Sequence, residues 1–279
     1  MNLESGTSAL VVLMLVALVP ALVYVSWVRR AEHSSAGPGP SLVGAFLYGA
    51  LFATITAGFL ELIIVAAGTS IAQRYPGPEI VFLNGNSALG AFFLVLVVAP
   101  FVEEGLKASG VYSYRGQIRR PADGPVVGAA VGLGFGFFET FLYGVGAFAA
   151  GGLAAGLTLI LVRSVSSVVL HGSSTGMFGH GFARARFHQA GAGGGAYYLL
   201  AVAMHASFNA LASLGAILAF AHVGGVAVDV ASLLALFAAI AFAFGAIEHV
   251  RTVIQTSDYP ALAGYRRGAG GARPPPPQR

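Results

Sequence analysis

Most of the side chains able to move a proton in this sequence sit inside long apolar runs. One run contains Pro100-Phe-Val-Glu103-Glu104-Gly-Leu-Lys107. On a helix, Lys107 comes within reach of both Glu103 (i, i+4) and Glu104 (i, i+3), so one ammonium can neutralise either carboxylate. The two glutamates point about 100° apart and cannot line one narrow site equally. Pro100 cannot donate to the carbonyl of Leu96, which predicts a kink and places both glutamates in the first turn of a new half-helix. A membrane-edge ion pair would account for this cluster equally well. A second run, Phe135-Gly-Phe-Phe-Glu139, has no basic residue nearby in sequence, so the carboxyl is either neutral or partnered from another helix. A third holds Arg163 and then His171-Gly-Ser-Ser-Thr175-Gly-Met-Phe-Gly179, and a fourth holds His205-Ala-Ser-Phe-Asn209. Helical spacing puts His171 and Thr175 on one face, and His205 and Asn209 on another. A lone buried histidine is more often a structural hydrogen-bonder; company changes that reading. Glutamate with histidine is the chemistry of water activation. A carboxylate takes the proton from water, imidazoles relay it, and an amide or imidazole stabilises an oxyanion. The same groups can bind Zn²⁺. The His-Glu-x-x-His pair is absent, so zinc is not compelled.

The elements that must position these residues are membrane helices. Of 279 residues, 56% are hydrophobic and 9% charged, and mean hydropathy is +0.78; soluble domains carry about 25% charged residues. Seven apolar segments are expected, at about 8–28, 42–68, 88–112, 125–150, 153–183, 196–222 and 228–250. Each is long enough to cross a hydrocarbon core of about 30 Å as a helix. The fifth is long and Gly-rich, a composition that favours a kink or tilt. Arg29, Arg30, Arg115, Arg119, Arg120, Arg184, Arg186, Arg251, Arg266, Arg267, Arg273 and Arg279 all follow odd-numbered segments. Arg74 alone falls in an opposite loop, while Lys107 and Arg163 lie within segments. The positive-inside rule then gives an outer N-terminus and an inner C-terminus. With Glu4 and no Lys or Arg in the first ten residues, a cleavable signal is not expected.

The expected fold is therefore an all-α polytopic bundle over residues 1–255, followed by a disordered, basic, Pro/Gly-rich cytoplasmic tail at 256–279. Residues 69–87 form the one sizeable outer loop. The net charge of +4 reflects inner loops and an anionic leaflet, not nucleic acid. With no cysteine, disulfides, thiolate zinc and cysteine nucleophiles are excluded. Gly128, Gly132 and Gly136, and again Gly172 and Gly176, form stripes that let helices approach closely. Glu61 reads as a bundle-facing polar contact, and Glu248-His249, His180 and His188 as interfacial.

Taken in order, Glu-Glu-x-x-Lys (103–107), Phe-x-x-x-Glu (135–139), His171 with Thr175 and Gly179, and His-x-x-x-Asn (205–209) resemble the PrsW family of bacterial membrane proteases. That family is distantly similar to the CAAX-processing and bacteriocin-processing proteases. The resemblance covers about residues 95–215. It implies a multi-pass protease of the cell membrane acting on a membrane-anchored protein, with site-1 cleavage of an anti-sigma factor as the associated activity. Carried over, Glu103 is the general base assisted by Glu104, and His205 with Asn209 forms the oxyanion side. The CAAX-type pattern has histidine where this chain has Glu139, so His171 is assigned to support the base. A metal, if used, would draw on Glu104, Glu139, His171 and His205; zinc stays open.

Two other classes fit parts of the pattern. Buried Glu and His also build proton relays in ion-coupled transporters, but no convincing repeat accompanies the single Pro-interrupted helix. A non-catalytic membrane scaffold would not require four intact motifs. A retinal-binding protein is disfavoured because the only lysine is Lys107, in segment three.

Overall fold

The computed structural model describes residues 3–32, 41–188, 191 and 193–257. Most of the expected tail, 258–279, lies outside the described residues. Among these residues every regular element is helical. In chain order the helices are α1 (Leu3–Arg29), α2 (Leu42–Leu47), α3 (Thr54–Arg74), α4 (Ala88–Phe93), α5 (Ala99–Ser113), α6 (Asp123–Ser164), α7 (Ser167–Arg186), α8 (Gly194–Ala212), α9 (Leu214–Phe220) and α10 (Val226–Thr256). A π-helical stretch, Tyr48–Ala53, joins α2 to α3, and another, Leu94–Val98, joins α4 to α5.

Five stretches are long and apolar enough to cross a membrane: Gly6–Arg29, Leu42–Arg74, Ala88–Ser113, Asp123–Arg186 and Val226–Thr256. A sixth follows if α8 and α9, bent by 61°, count as one. Large apolar side chains such as Val19, Leu62 and Leu234 are exposed on the outside, as lipid contact requires. The second stretch outlasts its expected end, reaching Arg74, so the loop to α4 shortens to residues 75–87 around a 3₁₀ turn at Pro78–Leu83.

The 64-residue stretch Asp123–Arg186 does not run straight. Gly152 has a φ of +78°, a conformation that L side chains rarely adopt, and the chain reverses there. A second break, at Val165 and Ser166, separates α6 from α7. It falls in the Gly-rich fifth segment, where a kink was expected. The two arms pack antiparallel: Gly124 meets Gly179, Gly132 meets His171 and Gly144 meets Ile160. Residues 123–137 and most of α7 are buried, so this hairpin is the centre of the bundle.

Glycine makes the close approach possible. A Cβ on Gly132 would overlap the carbonyl oxygen of His171, a backbone atom that cannot step aside. Gly128 meets the Thr175 carbonyl in the same way, and a Cβ on Gly136 would lie 2.9 Å from Val168 Cα. Gly172 and Gly176 face elsewhere, toward Leu133 and toward Val250 of α10. Gly132→Ala should therefore lower stability by about 1–3 kcal/mol through overpacking. It should also displace His171. The midpoint of denaturant-induced unfolding in detergent reads the first effect and cleavage activity the second.

Charges gather at one end of the bundle. Arg120 donates to Glu32 and, at 2.8 Å, to Asp123, while Arg29 pairs with Glu32. Asp123 also accepts from the backbone N–H groups of Arg119 and Arg120, at 2.8 and 3.0 Å. The end of α1 and the loop between α5 and α6 thus lie on the same side.

Candidate active site

The four motifs converge on one buried cluster. Lys107 is fully buried. Its ammonium lies 2.7 Å from Glu104 Oε1, 2.9 Å from His171 Nδ1 and 3.6 Å from Glu103 Oε2. The Phe135 ring, 4.4 Å from Nζ, covers the remaining side. Glu104 Oε1 also accepts from Ser174 Oγ at 3.1 Å and from His205 Nδ1 at 3.0 Å. Glu104 is thus the hub that ties α5, α7 and α8 together.

These bonds set the imidazole tautomers. An ammonium only donates, so His171 Nδ1 accepts and its Nε2–H donates to Glu139 Oε2, 2.9 Å away. The carboxylate of Glu104 only accepts, so His205 carries its proton on Nδ1. His205 Nε2 is then left with a free lone pair 3.9 Å from Glu103 Oε2. That oxygen is itself buried with no hydrogen-bond partner. The two imidazoles meet edge to face, with ring centres 4.9 Å apart.

Adjacent glutamates do diverge as their helical geometry demands. Glu103 lines a cavity of about 440 Å³, whereas Glu104 does not. His171, His205, Asn209, Glu139, Phe135 and Tyr143 also line it. The cavity is closed at the cluster, where Glu103 is 6% and His171 1% exposed. Its large exposed lining side chains are Leu142 and Tyr143, 47% and 51% exposed, on the Gly152 side of the hairpin.

Glu139 finds a partner across that hairpin: Arg163 donates to Oε2 at 2.6 Å and to Ser167 Oγ at 2.9 Å. Arg163 also covers the Tyr143 ring at 4.0 Å. Neither Arg163 nor Ser174 was singled out from the sequence as part of the site. Glu61, read there as a plain bundle contact, faces the same cavity. His180, expected at the interface, is buried against Tyr197, with ring centres 5.3 Å apart.

Asn209 reveals how the Pro100 region is built. The π turn at Leu94–Val98 makes the Ala99 N–H bond back to Leu94 rather than to Val95. The next N–H that could serve Val95 would come from residue 100, which is proline. The Val95 carbonyl is therefore left without a helical partner, and Asn209 Nδ2 donates to it at 2.9 Å. Asn209→Leu should leave that carbonyl unpaired at a cost of about 1–3 kcal/mol, read as faster amide exchange around residues 94–100.

Glu103, His171 and His205 each offer a ligand atom within 4.8 Å of the others. A carboxylate with two imidazoles is a zinc-type donor set, and the unpartnered Glu103 Oε2 suits it. The carboxylate differs from the expected Glu104 and Glu139, which are engaged by Lys107 and Arg163. A metal would also require Lys107 to release His171 Nδ1, which it can do while keeping Glu104.

A helical bundle with buried Glu and His lining one cavity has the groups that a membrane-embedded hydrolase requires. The family model described as PrsW family intramembrane metalloprotease matches residues 37–247, and the chain belongs to that family. It is 27% identical over 183 residues to Protease PrsW of Shouchella clausii (strain KSM-K16), a match covering 64% of this chain and 73% of that protein. No solved structure matches. The family is one of multi-pass peptide hydrolases acting on protein substrates in membranes.

Proposed function

We propose that this protein is an endopeptidase of the cell membrane that cleaves a membrane-anchored protein with water activated by Glu103. The observation that carries this reading is the pairing of two unsatisfied atoms, Glu103 Oε2 and His205 Nε2, 3.9 Å apart at the closed end of the cavity. A water between them would lose its proton to Glu103. His205, held by Glu104 through Nδ1, can accept a proton at Nε2 and then donate to the oxyanion or the departing nitrogen. Asn209 keeps a second amide N–H free for the oxyanion side. His171 and Glu139 fix Lys107, and Lys107 fixes the glutamate pair.

A second reading uses a metal, favoured by the convergence of Glu103, His171 and His205. Those three residues would hold it, and it would supply Lewis-acid polarisation of water or of the scissile carbonyl.

Seven crossings, with the N-terminus outside and the C-terminus inside, suit the hairpin reversal at Gly152 and the placement of arginines at one end. On that topology the cavity opens outward, which suits site-1 cleavage of an anti-sigma factor. Residues 1–255 would form the catalytic bundle and 256–279 a basic tail. Purified protein in liposomes tests the reading. Wild type should cleave single-span substrates, and full activity in His205→Ala protein would contradict the account. Chelator treatment with metal analysis separates the two readings: undiminished activity at less than stoichiometric metal leaves the glutamate-water form.

A further inference from the structure

Glu61 stands outside every motif, yet its position is specific. The residues of α3 that line the cavity are Thr54, Ala57, Gly58 and Glu61, one helical face. The other three are small, so Glu61 is the only charge on that wall. The opposite faces of α3 carry Phe59 and Leu62, both exposed as lipid contacts. Glu61 Oε1 is buried with no hydrogen-bond partner. The cavity's other carboxylates are occupied differently: Glu139 is paired with Arg163 at 2.6 Å, and Glu103 shares Lys107 at 3.6 Å. A Cβ on Gly58 would meet nothing within 4 Å, so there is open space on this face three residues from Glu61.

An unpaired carboxylate in a membrane cavity is costly unless a cation or donor answers it. Glu61 lines the same cavity as Glu103, His171 and His205. We propose that Glu61 forms a substrate subsite that binds a basic side chain, lysine or arginine, close to the scissile bond. This rests on the protease reading above. The small residues of α3 accommodate the extended segment, Arg163 stays committed to Glu139, and the carboxylate of Glu61 is the selective contact.

The test uses the full chain in liposomes with a set of single-span substrates, each carrying one lysine at successive positions through the outer half of the span and its flank. Wild type should cleave one or two of these at least about tenfold faster than the matching alanine substrates, as expected for a desolvated charge pair. In Glu61→Gln that preference should vanish, the ratio of lysine to alanine cleavage rates falling to about one. In Glu61→Lys a glutamate at the same substrate position should be preferred. An unchanged lysine preference in Glu61→Gln overturns the subsite and leaves the protease reading standing. Equal loss on every substrate also overturns it, because that outcome marks a structural role. If wild type cuts none of the substrates, the protease reading fails and the subsite falls with it.

Discussion

Glu103→Gln should reduce cleavage by about 10²–10⁴-fold, the range for loss of a general base, with almost no change in stability. The reason lies in what Glu103 does not do. Its Oε2 has no hydrogen-bond partner and its contact with Lys107 is long, at 3.6 Å. Glutamine keeps its shape and removes only the ability to take a proton. Glu104→Gln should behave in the opposite way. Glu104 Oε1 accepts from Lys107, Ser174 and His205, so a neutral amide would weaken three contacts between α5, α7 and α8. Loss of a buried charge partner costs about 3–5 kcal/mol, and the unfolding midpoint should fall accordingly. Side-by-side unfolding curves and cleavage rates for the two variants separate base from scaffold.

Lys107→Met should be the most destabilising single change at the site. It removes the ammonium that Glu104 and His171 both depend on, at 2.7 and 2.9 Å, and leaves a fully buried carboxylate unpaired. The cost is again about 3–5 kcal/mol, and the variant is expected to accumulate poorly. Lys107→Arg should not restore it, because a planar guanidinium has no room in a side-chain site with no exposure. A Lys107→Met, Glu104→Gln double variant should recover part of the stability, since the charge of Glu104 is then gone and only the more distant Glu103 stays without its partner. Protein yield and unfolding midpoint of the three variants provide the check.

Much of this architecture was readable from the residues. Low charge and long apolar runs gave a helical membrane bundle, and the glycine stripe on segment four did mark the close approach that sets His171 against α6. The divergence of Glu103 and Glu104 followed from helix geometry alone, and the structure places only Glu103 on the cavity. What stayed hidden depended on register between distant segments. Arg163 and Glu139 lie roughly equidistant from the Gly152 reversal, so placing the turn there would have paired them. The bond from Asn209 to the Val95 carbonyl could not be foreseen, because the π turn before Pro100 leaves no mark in the sequence. Glu61 was set aside for want of a motif, although no basic residue lies within three helical turns of it in sequence.

The central claim is that the cluster at Glu103 hydrolyses a peptide bond inside the membrane. The most direct measurement is the mass of the products formed from one single-span substrate by purified protein in liposomes. The account predicts a single new carboxyl terminus, within the span or at its edge on the side where the cavity opens, formed by wild type and absent with folded Glu103→Gln. An intact substrate after incubation with folded wild type, or the same cut made at the same rate by Glu103→Gln, would contradict it.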